Sequence, residues 1–216
     1  EGQTRPKPVV EDHFIDVDPN QNTTPEPPFP IPNPTFLPDR LLKTLTPVFI
    51  IRHPARVIPS YLRVSEPFGG TVFDDDAPLF LVFKWQRMMF DFYKAWYSCT
   101  EGAKSAGPGG ENLPIVIDGD KLVNDSEQQI HKLCRLLGLD PSPIQFSWEA
   151  RDGFENLAYA AFLSTIGKST GDSKPLVLED QAKKWATQWD DATVQEMKRR
   201  AENAMEDYEY MLKHSI

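Results

Sequence analysis

The chain has 216 residues, 40% hydrophobic and 25% charged, with a formal net charge of −9 and a pI near 5.0. This length suits one sizeable domain, and the acidic balance argues against general nucleic-acid binding but not against a small anionic ligand in a local positive pocket. No run approaches about 18 apolar residues, so no membrane span is expected. No secretory signal is visible, and Cys99 and Cys134 fit reduced core thiols, which predicts a cytoplasmic, reducing setting.

Residues 1–45 are predicted to be a proline-rich irregular segment. Residues 1–47 hold 11 of the 20 prolines, which interrupt helices and strand ladders, so partly polyproline backbone is expected. The segment also carries apolar side chains, so we expect parts of it to pack on the domain: Phe14, Ile15, Phe29, Ile31 and Phe36. A short helix is predicted over residues 40–45, and residues 46–216 are assigned to one α/β domain.

The apolar run TPVFII, residues 46–51, predicts a buried strand. A helix over residues 53–63 is predicted next, because Pro54 suits a first helical turn. After a loop, a long apolar stripe predicts one helix over residues 79–104.

A second buried strand is predicted at LPIVID, residues 113–118, followed by an amphipathic helix that ends at Gly138. Strands that alternate with long helices indicate an α/β fold with a parallel sheet flanked by helices. The helices predicted after the second strand cover residues 126–138, 156–164, 178–188 and 190–214.

The stretch FIIRHPARVIPSYLR, residues 49–63, contains the first candidate binding residues. Arg52 follows the carboxyl end of a strand, where ligands bind in open parallel sheets, and the next helix begins there with free backbone N–H groups. An arginine fork suits a phosphate, and Ser60 lies two helical turns further on. A salt bridge of Arg52 and a hydroxyl of Ser60 bonded to its own helix remain the alternative.

Three segments, taken in order, resemble the sulfotransferase family. VFIIRHPARVIPSYLR resembles the family's 3′-phosphate-binding segment, an apolar strand followed by Arg-x-Pro and a serine eight residues after the arginine. LPIVIDGDKLVNDSEQQIHKLCRLLGLD resembles its later strand, acidic turn and helix. The tail KKWATQWDDATVQEMKRRAENAMEDYEYML is similar to sulfotransferase-like proteins, particularly a fungal type of specialised metabolism. The resemblance covers roughly residues 46–213.

The resemblance implies a P-loop nucleotide-binding fold and transfer of a sulfonyl group from 3′-phosphoadenosine 5′-phosphosulfate to a hydroxyl or amine, with no metal required. Arg52 and Ser60 would hold the 3′-phosphate. A looser match to the family's second phosphate-binding loop is GKSTGDSK, for which a solvated loop remains equally open. Its candidate residues are Gly167, Lys168, Ser169, Thr170, Gly171 and Lys174.

The resemblance also implies a catalytic histidine upstream of Arg52, and His13 in EDHF is the candidate. The match departs from the family because Glu11 stands where a lysine is usual, and a carboxylate repels sulfate. Apolar side chains that we expect around a small-molecule acceptor are Phe14, Phe83 and Trp85.

No G-x-x-x-x-G-K-[ST] sequence precedes Arg52, and GPGG lies in the wrong order for a P-loop. The favoured interpretation is a C-terminal portion of the domain whose first strand and P-loop lie elsewhere, rather than a fold that has lost its donor site. Asp118 and Asp120 flank a strand end, where capping and a functional role are equally open. The acidic residues 74–76 are expected to form a solvated loop.

The sequence therefore predicts a sulfotransferase-like enzyme acting on a small organic acceptor. Two alternatives remain: a repurposed fold that acts as a lyase, cyclase or decarboxylase on a metabolite, and a non-catalytic nucleotide-binding or scaffold domain. No nucleic-acid or membrane partner is expected. A homo-oligomer, or an N-terminal portion of the same protein, is left open as a partner.

Overall fold

The computed structural model describes residues 27–106, 110–146 and 178–216. The helix predicted over residues 156–164 lies outside these ranges. Helices and strands are numbered here along the described residues: α1 (Asp39–Lys43), β1 (Val48–Ile51), α2 (Pro54–Ser65), α3 (Ala77–Leu81), α4 (Lys84–Ser98), α5 (Thr100–Ser105), β2 (Ile115–Asp118), α6 (Gly119–Asn124), α7 (Ser126–Leu137), α8 (Leu178–Trp185) and α9 (Asp191–Leu212).

The two strands pair in parallel, which confirms the predicted direction of the sheet. Val48 lies opposite Ile115, and Ile51 lies opposite Asp118, so both strands end at the same level. The Ile115 N–H donates to the Pro47 carbonyl, just before β1. Because the backbone groups of successive residues in a strand point to opposite edges, the N–H and C=O of Val116 point to the other edge of β2. There the Ile216 N–H donates to the Val116 carbonyl at 2.9 Å.

Helix α2 buries one face against α8 and α9. Ala55, Ile58 and Leu62 recur at helical spacing and pack in one cluster with Trp185 and Met197. The helix begins at Pro54, as its missing N–H allows, and ends at Ser65. The α2 residues Ser60, Tyr61 and Val64 are half-buried and line the site described below.

The predicted single helix over residues 79–104 is wrong, because three helices occupy this region. Val82 and Cys99 have extended backbone, and the Cys99 sulfur accepts from the Gly102 N–H at 3.4 Å as a cap of α5. The breaks let neighbouring apolar residues face different parts of the core. Leu81 joins the α2 cluster, whereas Phe92 packs in a separate cluster with Phe29, Leu42, Tyr93 and Trp96.

A third cluster connects the sheet with α4 and α9. It contains Ile51 from β1 and Val116 from β2, with Phe90 and Met211 from the two helices. Ile51, the last residue of β1, is therefore fixed in the core, and Arg52 follows it directly. Within the described part of the chain, no helix is long and apolar enough to cross a membrane.

Candidate functional site

Arg52 and Ser60 line one open pocket of about 800 Å³, called here the α2 pocket. One wall is this half-buried face of α2, and the other is the chain that follows this helix. The remaining lining residues are Val57, Tyr61, Val64, Ser65, Phe68, Gly69, Gly70, Asp74, Asp76 and Phe80. The two residues predicted for phosphate binding therefore share a pocket that has room for a small ligand.

The parallel register brings Arg52 beside the residues that follow β2. Because Ile51 lies opposite Asp118, the next residues of each strand lie side by side. A Cβ atom at Gly119 would lie 3.0 Å from the Ile51 carbonyl oxygen, so glycine permits this close approach. The following residue, Asp120, lies in the first turn of α6, and its Oδ1 lies 3.8 Å from the Arg52 Nε.

The two sides of the Arg52 guanidinium differ. Its Nε side, called here the inner side, faces Asp120, and its terminal nitrogens form the outer side. The Arg52 side chain is 43% exposed, yet its Nε is buried, and the residue lines the α2 pocket. The same Oδ1 of Asp120 lies 3.0 Å from the Nε of Arg56. Arg52 thus forms the salt bridge of the structural alternative and still presents charge to the pocket.

Ser60 differs from the serines that bond to their own helix. The Ser98 hydroxyl donates to the Lys94 carbonyl at 2.7 Å, and the Ser65 hydroxyl donates to the Leu62 carbonyl at 3.3 Å. Among the residues that the structure describes, the Ser60 hydroxyl has no such acceptor. Its hydrogen-bonding capacity is therefore available to a ligand in the pocket.

The far end of the α2 pocket is aromatic and acidic. The rings of Tyr61 and Phe80 stack at 5.5 Å between centroids, and Phe80 remains more than half exposed. Hydrogen bonds from the Thr71 hydroxyl and N–H hold the pKa of the Asp74 carboxyl below its usual value. Burial foremost, and then Asp76 and Asp74, raise the pKa of the Tyr61 phenol, which stays a neutral hydrogen-bond donor.

The end of α2 is fastened to the turn between α8 and α9. The Trp189 indole N–H donates to the Glu66 carboxylate, directly after the helix. The Arg63 guanidinium lies 5.4 Å from the centre of the Trp189 ring, and its Nε donates to the Gln188 Oε1 at 3.0 Å. Glu66 begins the short 3₁₀ turn to Phe68, so these contacts fix one wall of the pocket.

His53 caps α2 beside Arg52. Its Nδ1 accepts from the Ala55 N–H at 3.1 Å, so this nitrogen carries no proton and the ring is neutral. The ring meets Tyr208 edge to face at 5.2 Å. Burial lowers the pKa of His53 below its ordinary 6.5, although the negative charge of Asp120 acts in the opposite direction.

His53→Asn is expected to make stability less sensitive to acid. Because the pKa of His53 is lower in the folded chain, the unfolded chain binds more protons near pH 6.5, and stability falls as the pH drops through this region toward the folded pKa. Asparagine still caps the helix but does not titrate. Urea unfolding of both proteins at about pH 7.5 and about pH 5.5 checks this. His214, whose pKa is also lowered by burial, is present in both proteins. If the wild type and His53→Asn lose the same stability between the two pH values, the acid sensitivity comes from groups other than His53.

Comparison with known proteins identifies two relatives. The sulfotransferase ppzF of Metarhizium majus (strain ARSEF 297) is 29% identical over 192 residues, which cover 83% of this chain and 55% of the relative. The sulfotransferase ppzF of Metarhizium rileyi (strain RCEF 4871) is 28% identical with the same coverage. The chain is similar to curated sulfotransferases. It spans about half the length of these relatives, and neither a family model nor a solved structure matches it.

This similarity supports a sulfotransferase-like family, and the small parallel sheet is compatible with an α/β fold of that kind. The predicted candidates His13, Phe14 and residues 167–174 lie outside the described residues. No group of three or more His, Cys, Asp and Glu side chains converges as a metal site within the described ranges.

Two apolar residues expected around an acceptor do not line the α2 pocket. Phe83 is buried in the core and packs edge to face on Tyr208, and Trp85 lies exposed on α4. Three aromatic residues do line the pocket, and the sequence pattern did not single them out for it: Tyr61, Phe68 and Phe80. The available signal was the position of Tyr61, one residue after Ser60 on the same helix.

Asp118, the last residue of β2, and Asp120, in α6, have different roles, which the sequence left open. Asp118 is a cap, because its Oδ1 accepts from the Asp120 N–H at 3.0 Å at the start of α6. Asp120 instead directs its own carboxylate toward Arg52 and Arg56. Arg56 was not singled out by the sequence, although it lies midway between Arg52 and Ser60.

Proposed function

We propose that the protein is a sulfotransferase-like enzyme that transfers a sulfonyl group from 3′-phosphoadenosine 5′-phosphosulfate to a small organic acceptor in specialised metabolism. The observation that carries the proposal is the presence of Arg52 and Ser60 on one open pocket, in a chain similar to sulfotransferases. Arg52 and Ser60 would hold the 3′-phosphate of the nucleotide.

The end of the α2 pocket that contains Arg52 and Ser60 has groups that suit a phosphate. The outer part of the Arg52 guanidinium is accessible and permanently charged, and its planar nitrogens match two phosphate oxygens. The Ser60 hydroxyl supplies a further donor whose capacity is not used by its own helix. One cation and one neutral donor on the same wall support binding of a dianionic phosphate.

The remainder of the pocket has features that suit a nucleoside. The stacked rings of Tyr61 and Phe80 offer an exposed aromatic face for a purine base. The carboxylates of Asp74 and Asp76 accept hydrogen bonds, which suits the exocyclic amine of adenine. These carboxylates also disfavour a second anionic group at that end, so the ligand would lie with its 3′-phosphate toward Arg52.

The bound donor would supply an activated sulfonyl group for in-line attack by the acceptor. Arg52 and Ser60 would contribute by fixing the nucleotide and neutralising its phosphate, so that positioning provides part of the rate. His13 stays the predicted base that takes the proton of the acceptor hydroxyl or amine. The groups that would face the 5′-phosphosulfate are not among the described residues of this pocket.

Titration calorimetry with two nucleotides tests this proposal. The chain is expected to bind adenosine 3′,5′-bisphosphate more tightly than adenosine 5′-monophosphate, which lacks the 3′-phosphate. Ser60→Ala is expected to weaken bisphosphate binding about tenfold, the value of one hydrogen bond to a charged group, and to leave 5′-monophosphate binding unchanged. Ser98→Ala is the matched control, because that hydroxyl bonds to its own helix.

Equal affinity for the two nucleotides would contradict recognition of the 3′-phosphate by this pocket. Selective bisphosphate binding without transfer from a labelled sulfonyl donor to hydroxyl and amine acceptors would favour the non-catalytic nucleotide-binding alternative. Incorporation of label into an acceptor that depends on Ser60 would support the transferase.

A further inference from the structure

We infer that Asp120 is a positioning residue for the phosphate site: it holds the inner side of Arg52 so that the outer nitrogens of the guanidinium face the α2 pocket. This inference rests on the proposed function, because it concerns the same anion. Asp120 lies on a different strand connection from Arg52 and Ser60 and does not itself line the pocket.

The position of the Asp120 carboxylate is set by the sheet. The register of β1 and β2 places the residues after Ile51 and Asp118 side by side, and Gly119 allows contact with the Ile51 carbonyl. The backbone of Asp120 is then held by its N–H, which donates to the Asp118 Oδ1 at 3.0 Å. The carboxylate is therefore attached to rigid backbone and does not depend on a flexible loop.

Asp120 contacts the side of Arg52 that leaves the phosphate-binding edge free. A guanidinium can be approached at its Nε side or at the edge formed by its two terminal nitrogens. The Asp120 Oδ1 lies 3.8 Å from the Arg52 Nε, which is an ion-pair distance rather than a hydrogen bond. This Nε is buried and has no hydrogen-bond partner among the described residues, whereas the side chain as a whole is 43% exposed and the residue lines the pocket. Because the Nε side faces Asp120, the terminal edge is the one left to bind a phosphate through two parallel hydrogen bonds.

Arg56 explains how a carboxylate so near the pocket avoids repelling an anion. Its Nε lies 3.0 Å from the same Asp120 Oδ1, so the tighter ion pair is with Arg56 and the looser one with Arg52. Arg56 offsets the negative charge of Asp120 but does not line the pocket. Asp120 thus orients Arg52 while the positive charge of Arg52 stays available to a ligand.

Asp120→Asn is expected to weaken binding of adenosine 3′,5′-bisphosphate about tenfold, which corresponds to the coupling between two side chains of one ion-pair network. The affinity for adenosine 5′-monophosphate is expected to stay unchanged. Asp120→Glu keeps the charge and is expected to stay within about threefold of the wild type. Glu206→Gln is the control, because this exposed carboxylate pairs with Arg87 at 3.3 Å away from the pocket. Calorimetry on the full chain gives the affinities, and thermal unfolding checks that each variant is folded.

A double variant separates positioning from a structural effect. If Asp120 acts through Arg52, Asp120→Asn adds no further loss of bisphosphate affinity to Arg52→Ala, whereas an independent structural role would lower affinity in both backgrounds. If Asp120→Asn does not fold, Asp120→Ser, which also removes the carboxylate, is compared in the two backgrounds in the same way, and a loss of similar size in both overturns the inference.

The outcomes also separate this inference from the proposed function. Full bisphosphate affinity in Asp120→Asn, with a loss in Arg52→Ala, overturns the role of Asp120 and leaves the proposed phosphate site standing. Failure of the wild-type chain to prefer the bisphosphate overturns the phosphate site, and the role of Asp120 with it.

Discussion

Arg52→Ala is expected to weaken binding of adenosine 3′,5′-bisphosphate by about 30- to 150-fold, equivalent to about 2–3 kcal/mol for a charge-assisted, two-bond contact. Alanine removes the only part of the phosphate contact that carries a permanent charge among the described lining residues of the α2 pocket. Binding of the 5′-monophosphate should change far less, because that nucleotide has no 3′-phosphate. Titration calorimetry of both nucleotides into wild type and variant measures the difference.

Arg199→Ala is the appropriate control for this change. Arg199 is an exposed arginine of α9 that pairs with Glu196 one turn earlier, so its loss removes a positive charge of the same type at a remote position. If Arg52→Ala and Arg199→Ala both leave bisphosphate affinity unchanged, Arg52 is only an ion-pair partner of Asp120. If both weaken it equally, the effect comes from net charge rather than from a site.

The largest effect on stability is expected for Trp185→Ala, which should lower the free energy of unfolding by about 3–5 kcal/mol. Trp185 is 2% exposed and belongs to the cluster in which Ile58 of α2 meets Met197 of α9. Its removal leaves a cavity beneath the helix that carries Ser60. Urea unfolding measures the loss, and the dependence of the unfolding free energy on urea concentration should be the same in the wild type and the variant.

Trp85→Ala provides the matched comparison for this core substitution. Trp85 is 46% exposed on α4, so its loss should cost far less than that of a buried tryptophan. A similar loss in both variants would contradict the assignment of Trp185 to the core beneath α2. A large loss only in Trp185→Ala, accompanied by weaker bisphosphate binding, would connect that core to the pocket.

The positions of the strand, of Arg52 and of the helix carrying Ser60 were predictable because they depend on local pattern. The predicted burial of this strand holds only at Ile51, because Ile50 is 56% exposed. An apolar run, a proline at the first helical turn and a spacing of eight residues are all present within one short stretch. The parallel direction of the sheet followed from the alternation of strands and helices. The phosphate assignment came from resemblance and stays a prediction.

The breaks at Val82 and Cys99 were not predictable, because they depend on tertiary packing. A continuous apolar stripe favours one helix, but Leu81 and Phe92 are buried in different clusters, and one straight helix would not serve both. The pairing of Tyr61 with Phe80 likewise joins residues far apart in the chain. The role of Asp120 required the register of two strands, which the residue pattern alone does not contain.

The link between Trp189 and Glu66 gives the chain an intrinsic optical reporter. Indole emission responds to the charge and motion of the groups around it, and Glu66 begins the turn that forms one wall of the α2 pocket. A ligand that shifts this turn would change the surroundings of a chromophore outside the pocket itself, without blocking the entrance. A change in emission on nucleotide addition that is present in the wild type and lost in a Trp189→Phe variant would therefore report occupancy, with no attached dye.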